Sequence, residues 1–503
     1  MSGTSKASAS TTNPDPTLHT NTADTPQRIP HPLVATIPLV VLIAVLAVVI
    51  RLFGSDALTG GSQIALLMST ALCISITMLC YRVPWSVFEE RLKQTIGSVS
   101  VTIVMLLLIG MMAGTWMVSG VVPTLIYYGV QLMSPQFFLV SACVICSLVS
   151  VLSGSSWTTI ATIGVALLGI GNALGVSEAW MAGAIISGAY FGDKMSPLSD
   201  TTILASSSTG TDLFRHIRYM LITTVPSITL TLIIFLVAGL GTASRTELHI
   251  SQYADGLDAT FHISLWTLLV PILTGVLIWR KVPSLITLFA SAVMAGLLAL
   301  ILQPHLLSTI GDGNVVRGLF VTCFGPTQVT TGYAPLDELV ATRGMAGMLD
   351  TIWLIICAMC FGSAMVASGN IESLTGLLLR HVRSRFGLVS STVGTGLFLN
   401  TATGDQFISI VLTADMYRDA YRREGYESRL LSRTTEDAAT VTSVLIPWNT
   451  CGLTQSTVLG VATITYLPYC FFNLLSPIST LVVAAIGWRI RRKPQPAADS
   501  AAV

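Results

Sequence analysis

The sequence predicts an all-α polytopic membrane protein with about 11 to 13 transmembrane segments, built from two inverted-topology repeats with re-entrant hairpins and broken helices. Three observations support this prediction. Apolar residues dominate the composition, apolar runs long enough to cross a bilayer recur along the chain, and the two halves carry similar motifs in the same order. We therefore expect function to reside where polar residues interrupt the apolar runs.

The composition excludes an ordinary soluble protein. Of the 503 residues, 52% are hydrophobic and 10% are charged, and the mean hydropathy is +0.74. Soluble domains carry about 25% charged residues, so a chain this long could not cover a soluble surface with so few charges. The net charge of +1 gives no reason to expect a nucleic-acid partner. Membrane lipid is the surrounding partner that we expect.

The apolar runs set the predicted order of elements. LVATIPLVVLIAVLAVVI (33–50) is the plainest of them. Runs of about 10–14 residues are too short to span a bilayer, so we interpret them as re-entrant or broken pieces. The runs lie at 33–53, 63–80, 98–118, 136–152, 158–174, 178–192, 217–240, 263–280, 282–303, 350–369, 386–400, 406–416, 438–447 and 457–488.

These runs divide the chain into six predicted regions. Both ends are polar and lack apolar runs, so they are expected to be disordered. The regions are an N-terminal tail (1–30), N-terminal transmembrane helices (31–97), a first repeat (98–240), linking helices and external loops (241–349), a second repeat (350–490) and a C-terminal tail (491–503).

Positive charge predicts the sidedness of the loops, because lysine and arginine concentrate on the cytoplasmic side. This rule places both termini in the cytoplasm and the loops 242–262 and 304–349 outside. Basic clusters at 380–385 and 418–433 flank the apolar run 386–416, so this run is predicted to enter from the cytoplasm and return, with its tip near NTATGDQF (400–407). The remaining basic clusters are Arg82/Arg91/Lys93, Arg215/Arg218, Arg280/Lys281 and Arg489/Arg491/Arg492/Lys493.

Internal similarity predicts the two repeats. SGSSWTTI (153–160) resembles TGDQFISI (403–410), and FGDKMSPLSDTT (191–202) resembles TEDAATVTSVLIPWNT (435–450). MMAGTWMVSG (111–120) likewise resembles CFGSAMVASG (360–369). The charge pattern gives the halves opposite orientations, which is a recurring plan of secondary transporters.

Each predicted repeat has a hairpin tip of small polar residues followed by a segment that a proline interrupts. Pro197 and Pro447 each remove a backbone hydrogen bond, so we predict helix breaks there. Unwound backbone at membrane depth requires protein or water to satisfy it. We therefore expect both breaks to face one shared polar cavity.

The carboxylates near these breaks are the candidate chemical groups. An unpaired charge in hydrocarbon costs at least about 2.5–3.5 kcal/mol, so each needs Lys194, a bound cation or a proton as its partner. A carboxylate that takes either Na⁺ or H⁺ is the chemical core of a cation/proton exchanger. The candidate carboxylates are Asp193, Asp200, Asp405 and Asp437.

Our hypothesis assigns Na⁺ to Asp200, Asp405, Thr201 and Asn449, because hard cations prefer oxygen ligands. Asp193 and Asp437 are second choices that orient helix ends, and Asp193 could instead cap its helix beside Lys194. Further neutral candidates are Ser155, Thr158, Ser196 and Thr450; helix packing is the alternative role for the hydroxyls near the first tip.

Other groups have simpler explanations. The arginines at 418–433 are most simply topology determinants. The pairs Cys143/Cys146 and Cys357/Cys360 are more simply core residues than metal ligands, and no cofactor is expected. The sequence leaves a homodimer open.

At this point a family resemblance is visible. GAYFGDKMSPLSDTT (188–202) together with TVTSVLIPWNTCG (440–452) closely resembles the NhaC-type Na⁺/H⁺ antiporters, a family that includes malate/lactate-type Na⁺-coupled exchangers. The resemblance covers roughly 35–490 and implies an inverted-repeat ion-transporter fold in a bacterial inner membrane. By resemblance, the residues near the transport site are Asp193, Ser196, Asp200, Thr201, Asp437, Thr442, Pro447, Asn449 and Thr450.

The sequence therefore predicts a Na⁺/H⁺ antiporter that works by alternating access, and not an enzyme. A Na⁺- or H⁺-coupled transporter or exchanger of organic acids or amino acids is the alternative. An intramembrane aspartyl protease is a third reading, but Ala402 stands where its Gly-x-Gly-Asp signature requires glycine.

Overall fold

The computed structural model describes residues 29–53, 60–241, 247–380 and 384–490. The predicted tails, apart from residues 29 and 30, and the basic residues Arg383, Arg491, Arg492 and Lys493 lie outside these ranges. Within them the regular structure is helical, and an isolated bridge between Thr327 and Thr342 is the β-type pairing. The described part of the chain is therefore all-α, as predicted.

Ten of the described helices make up the N-terminal half. The apolar runs 136–152 and 158–174 form a hairpin, because α5 (Phe138–Ser153) turns at Gly154 and Ser155 into α6 (Ser156–Thr159), a π-helical segment (Ile160–Gly164) and α7 (Val165–Ala173). The helices are α1 (Pro32–Phe53), α2 (Gly61–Tyr81), α3 (Trp85–Val118), α4 (Val121–Leu132), α5 (Phe138–Ser153), α6 (Ser156–Thr159), α7 (Val165–Ala173), α8 (Glu178–Met195), α9 (Asp200–Ser208) and α10 (Leu213–Leu240).

Six helices then link the halves, and eight follow in the C-terminal half. Helix α21 continues through a π-helical segment (Glu436–Thr440) and a 3₁₀ turn (Ser443–Leu445) to a second break. The helices are α11 (Glu247–Thr260), α12 (Leu269–Trp279), α13 (Ser284–Leu302), α14 (Pro304–Ile310), α15 (Val315–Phe324), α16 (Ala334–Val340), α17 (Leu349–Ala367), α18 (Asn370–Arg380), α19 (Arg385–Thr403), α20 (Gln406–Arg423), α21 (Ser428–Thr435), α22 (Thr450–Leu459), α23 (Thr463–Tyr466) and α24 (Phe471–Ile486).

Eight helices in the described ranges are long and apolar enough to cross a bilayer, or ten if two bent pairs each count as one span. The expected number of 11 to 13 segments also counted helices that are interrupted or carry several charges, and these do not meet the criteria of length and hydropathy. Helix α8, for example, carries Glu178, Asp193 and Lys194 within 18 residues. The chain is a multi-pass membrane protein, and large apolar side chains such as Leu79 and Leu132 are exposed on its outer surface.

Glycines bring the first hairpin against the following broken helix. A Cβ atom at Gly188 would lie 2.2 Å from the Cys143 carbonyl oxygen, and one at Gly192 would lie 2.5 Å from that of Ser147. Such close backbone approach is typical of helix pairs with small residues in membranes. Ser150 adds a 2.6 Å hydrogen bond to the Ala189 carbonyl. Helices α5 and α8 therefore form one tightly packed unit.

The two hairpin tips make the same hydrogen bonds, 250 positions apart. At the first tip the Ser155 amide donates to Ser153 Oγ (3.3 Å), and Ser153 Oγ lies 3.2 Å from Thr159 Oγ1. At the second tip the Asp405 amide donates to Thr403 Oγ1 (3.3 Å), and Thr403 Oγ1 lies 3.2 Å from Ser409 Oγ. Both turns pass through a glycine at positive φ, Gly154 (+68°) and Gly404 (+67°).

Each tip also contacts the break that follows it by 44 residues. A Cβ atom at Gly154 would lie 2.7 Å from the Leu198 carbonyl carbon, whereas one at Gly404 would lie 3.3 Å from the Trp448 carbonyl oxygen. The Thr450 amide donates to the Gly404 carbonyl at 2.8 Å. The hairpin tips therefore hold the broken helices in place.

We predict that Gly154→Ala lowers the melting temperature of the detergent-purified protein more than Gly175→Ala. Both glycines have positive φ, where an L-residue costs about 1–2 kcal/mol. Only the Gly154 Cβ meets backbone atoms, because the space at Gly175 is open. Equal losses in the two variants would contradict the tight contact between the first tip and Leu198.

Candidate functional site

A cavity of about 610 Å³ extends from the loop between α12 and α13 to the first break, which is the non-helical stretch 196–199 between α8 and α9. Its walls come from α3, both hairpin tips, the break and that loop. The lining residues used below are Ser155, Thr158, Asp193, Ser199, Asp200, Thr201, Lys281 and Gln406. Asp193 is thus a buried carboxylate with one side toward space that water could enter.

Asp193 lies in the last turn of α8, which ends because Ser196 and Pro197 leave the helical path. Its carboxylate accepts hydrogen bonds from Ser156 Oγ (2.7 Å) and Ser199 Oγ (2.5 Å). No basic side chain is bonded to it among the described residues. Two hydroxyl groups therefore partly replace the lost hydration of this carboxylate.

The next residue, Lys194, belongs to a separate ion pair. Its ammonium contacts the Asp437 carboxylate and donates to Ser476 Oγ at 3.0 Å, and both charged side chains are fully buried. Asp437 also accepts hydrogen bonds from Thr223 (2.8 Å), Ser476 (2.7 Å) and Thr480. This pair joins the end of α8 to the π-helical segment, and each oxygen of the Asp437 carboxylate accepts two hydrogen bonds.

Glu436, beside Asp437 in the π-helical segment, has no close hydrogen-bond partner among the described residues. Thr201 Oγ1 lies 3.4 Å from Glu436 Oε1, and Oε2 is buried without a hydrogen-bond partner among the described residues. Buried carboxylate oxygens are normally bonded, so this one requires a further group. π-Helical turns often occur at functional sites.

The environment of Arg433 differs from the one expected from the sequence. The arginines at 418–433 were expected to be topology determinants, but Arg433 is fully buried. Its guanidinium lies over the Tyr219 ring, 4.6 Å from the centroid, and its three nitrogens have no hydrogen-bond partner in the described ranges. The packing of α21 against α10 and α20 accounts for this burial.

A second cluster of polar side chains, which includes Asp405, Asn449 and Asn400, lies at the second hairpin tip. Asp405 caps α20, because its Oδ1 accepts from the Ile408 amide at 2.8 Å. Asn449 caps α22 through the Cys451 amide (3.0 Å) and donates to the Asn400 carbonyl (3.1 Å). These contacts are those of helix caps.

The structure divides the sequence-predicted site residues between these groups. Thr201 and the exposed Asp200 belong to the first break, whereas Asp405, Asn449 and Thr450 belong to the second tip. The four residues assigned to Na⁺ therefore do not form one cluster.

The remaining sequence-predicted site residues have structural contacts near the first tip and the breaks. Ser155 caps α6, Thr158 donates to Ser155 Oγ at 3.2 Å, and Ser196 Oγ donates to the Val151 carbonyl at 2.8 Å. Pro197 and Pro447 lie in the two breaks, as expected.

Sequence reasoning missed several residues of the site. Glu436 could have been suspected, because it stands beside Asp437 before an apolar run. Ser476 and Thr480 share one face of α24, but nothing in their spacing indicates an acidic partner. The missed residues are Ser156, Ser199, Thr223, Glu436, Ser476 and Thr480.

The charge balance defines the class of protein. In the described part of the chain, the buried carboxyl groups are those of Asp193, Asp405, Glu436 and Asp437, the buried lysine and arginine are Lys194 and Arg433, and His216 is a buried imidazole. The buried carboxyl groups therefore outnumber the buried lysine and arginine side chains by two. A multi-pass membrane protein with a water-reachable group of this kind belongs to the class of secondary transporters. Comparison with known proteins specifies the family.

The profile of the Na⁺/H⁺ antiporter family matches residues 188–488, and the chain belongs to this family. It is 38% identical to the Na⁺/H⁺ antiporter NhaC of Alkalihalophilus pseudofirmus over 81% of this chain and 86% of the relative. It is 32% identical to NhaC of Bacillus subtilis, over 84% of this chain and 91% of the relative. The malate-2H⁺/Na⁺-lactate antiporter of Bacillus subtilis is 34% identical over 74% of this chain and 78% of the relative.

Proposed function

We propose that this protein is a Na⁺/H⁺ antiporter that works by alternating access at the first helix break. The observation that carries the proposal is that the described residues bury four carboxyl groups against one lysine and one arginine, and that one of the four, Asp193, lines the cavity. Uncompensated charge at membrane depth is costly, so the carboxylates require protons or cations as partners. Competition of Na⁺ and H⁺ for the same oxygens then enforces exchange.

Asp193 is the primary exchanging carboxylate in this proposal, in place of Asp200. Asp193 is buried and reaches the cavity with two hydroxyl partners, whereas Asp200 is exposed. Asp405 orients α20 as its cap, which is the role that the sequence had suggested for Asp193. Lys194 and Asp437 neutralise each other and hold the two halves in register.

We further propose that the halves are inverted repeats with boundaries at 98–240 and 350–490. The identical hydrogen bonds at the two tips and the equal tip-to-break spacing support this assignment. With Arg280 and Lys281 in the cytoplasm, the cavity faces inward. The proposed setting is a bacterial inner membrane with both termini cytoplasmic, and the protein acts as a carrier without a cofactor.

Purified protein in liposomes tests the function. We expect an inward Na⁺ gradient to make the interior more alkaline, and the half-maximal Na⁺ concentration to rise as the pH falls, because protons occupy the same oxygens. Internal pH reported by a trapped dye, with K⁺ replacing Na⁺ as the control, measures both effects. A proton flux that does not respond to Na⁺ would end the proposal.

Exchange of a small organic anion or amino acid is a second candidate. The buried guanidinium of Arg433 has no hydrogen-bond partner in the described part of the chain, and arginine is well suited to bind carboxylates. The malate–lactate relative supports the same possibility. The liposome assay with a panel of organic acids inside and outside decides: stimulation of Na⁺-driven flux by one acid, lost in Arg433→Gln, would favour this candidate.

A further inference from the structure

We propose that Glu436 supplies the second carboxylate of the cation site, so that the transported cation binds between the first break and the π-helical segment of the other half. This inference rests on the proposed function, and it adds a ligand, Glu436, that the sequence analysis did not assign to the site. Glu436 Oε2 is buried and has no hydrogen-bond partner within the described ranges.

Two adjacent carboxylates of the π-helical segment differ sharply in their surroundings. Asp437 is satisfied by an ammonium and three hydroxyl groups. Glu436 Oε2 is equally buried but accepts no hydrogen bond from any residue that the structure describes, and the contact of Oε1 with Thr201 is long at 3.4 Å. A buried oxygen in this condition carries a large desolvation cost unless another group occupies the space beside it.

Oxygen atoms suited to a hard cation continue from Glu436 toward the cavity. Thr201 Oγ1 lies 3.4 Å from Glu436 Oε1 and 2.9 Å from Ser199 Oγ, and Ser199 Oγ lies 2.5 Å from Asp193 Oδ1. Two carboxylates connected by two hydroxyls provide the all-oxygen environment that Na⁺ favours. Asp193, Ser199 and Thr201 line the cavity, so the cation can enter from that side.

The π-helical segment is held firmly enough to position Glu436. Asn400 Nδ2 donates to the Ala439 carbonyl (2.7 Å), Gln406 Nε2 to that of Thr440 (3.1 Å), and Asn473 Nδ2 to that of Val441 (2.8 Å). These amides come from α19, α20 and α24. The segment therefore presents Glu436 from a rigid frame.

A cation at this position would join the two halves of the protein. Thr201 lies in α9 of the first half, and Glu436 lies in the second half, so the cation's ligands come from both. Binding would stabilise the conformation in which α9 and the π-helical segment are in contact. The same cation would thus be cargo and a link between the parts that move.

Glu436→Gln tests the inference, with the exposed Glu338→Gln as the matched control. Sodium alone, added to the purified full-length protein in detergent, should raise the melting temperature of the wild type and of the control. In Glu436→Gln the Na⁺ concentration for half of this stabilisation should be at least tenfold higher, and the half-maximal Na⁺ concentration for flux in liposomes should rise in parallel. Thr201→Val should give a smaller rise in both.

The outcomes separate the inference from the function. A wild type without Na⁺-driven proton flux would refute the proposed antiport. Flux in the wild type, with the same Na⁺ dependence of melting and transport in a folded Glu436→Gln, would refute only the role of Glu436. If Glu436→Gln does not fold, an unchanged Na⁺ dependence in Thr201→Val would overturn the inference instead.

Discussion

Replacing Asp193 with asparagine should reduce Na⁺-driven proton movement in liposomes at least tenfold. The substitution keeps the volume and both hydroxyl neighbours but removes the charge that a cation or proton balances. Loss of one partner from a buried charge pair costs about 2–5 kcal/mol, and 1.4 kcal/mol already corresponds to a tenfold change. Internal pH after addition of Na⁺ is the measurement.

Two further aspartates complete this experiment. Asp350→Asn makes the same chemical change at an exposed position and should transport normally. Asp200→Asn should lower the flux less than Asp193→Asn, because Asp200 lies exposed at the cavity. The opposite order, with Asp200 essential and Asp193 dispensable, would restore the assignment that the sequence alone suggested.

Lys194→Met should destabilise the folded protein by about 3–5 kcal/mol, because it leaves Asp437 as a buried charge without its ammonium partner. A large fall in the melting temperature in detergent would report this loss. The double variant Lys194→Met/Asp437→Asn should recover part of the stability, since the orphaned charge is removed as well.

Lys93→Met provides the comparison for this substitution. Lys93 also pairs with a carboxylate, Glu89, but both side chains are exposed to solvent, so the melting temperature should not change measurably. If Lys194→Met melts like the wild type, then the buried pair does not hold α8 and the π-helical segment together.

The sequence predicted the backbone elements of the site, namely the hairpin tips and the helix breaks, better than the side chains that form it. The tips were recognisable because small polar residues interrupt an apolar run in two similar motifs, SGSSWTTI (153–160) and TGDQFISI (403–410). The breaks were recognisable from Pro197 and Pro447. These signals are local, so a single sequence carries them.

The burial of a side chain depends on parts of the chain that are distant in sequence, so the sequence alone did not show which charged residues are buried. Asp193 and Asp200 stand on either side of one break, and only the path of the chain through Ser196–Ser199 decides which carboxylate is buried. Arg433 and Glu436 follow a basic loop, which is typical of a membrane boundary. They are nevertheless buried, because α10, α19, α20 and α24 pack around α21 and its π-helical continuation, and three of these four helices are not its neighbours in sequence.

The close glycine contacts between each hairpin and its broken helix have a consequence for the rate of transport. In the first half a Cβ atom at Gly188 would lie 2.2 Å from the Cys143 carbonyl oxygen, and in the second half one at Gly396 would lie 2.9 Å from the Ala438 Cβ, so each hairpin is packed tightly against its broken helix. Any large displacement must then occur along the boundary between the halves. The activation barrier would arise from exposing that boundary to water rather than from bending either half, so turnover should respond to polar or apolar substitutions there more than to stiffening of the hairpins.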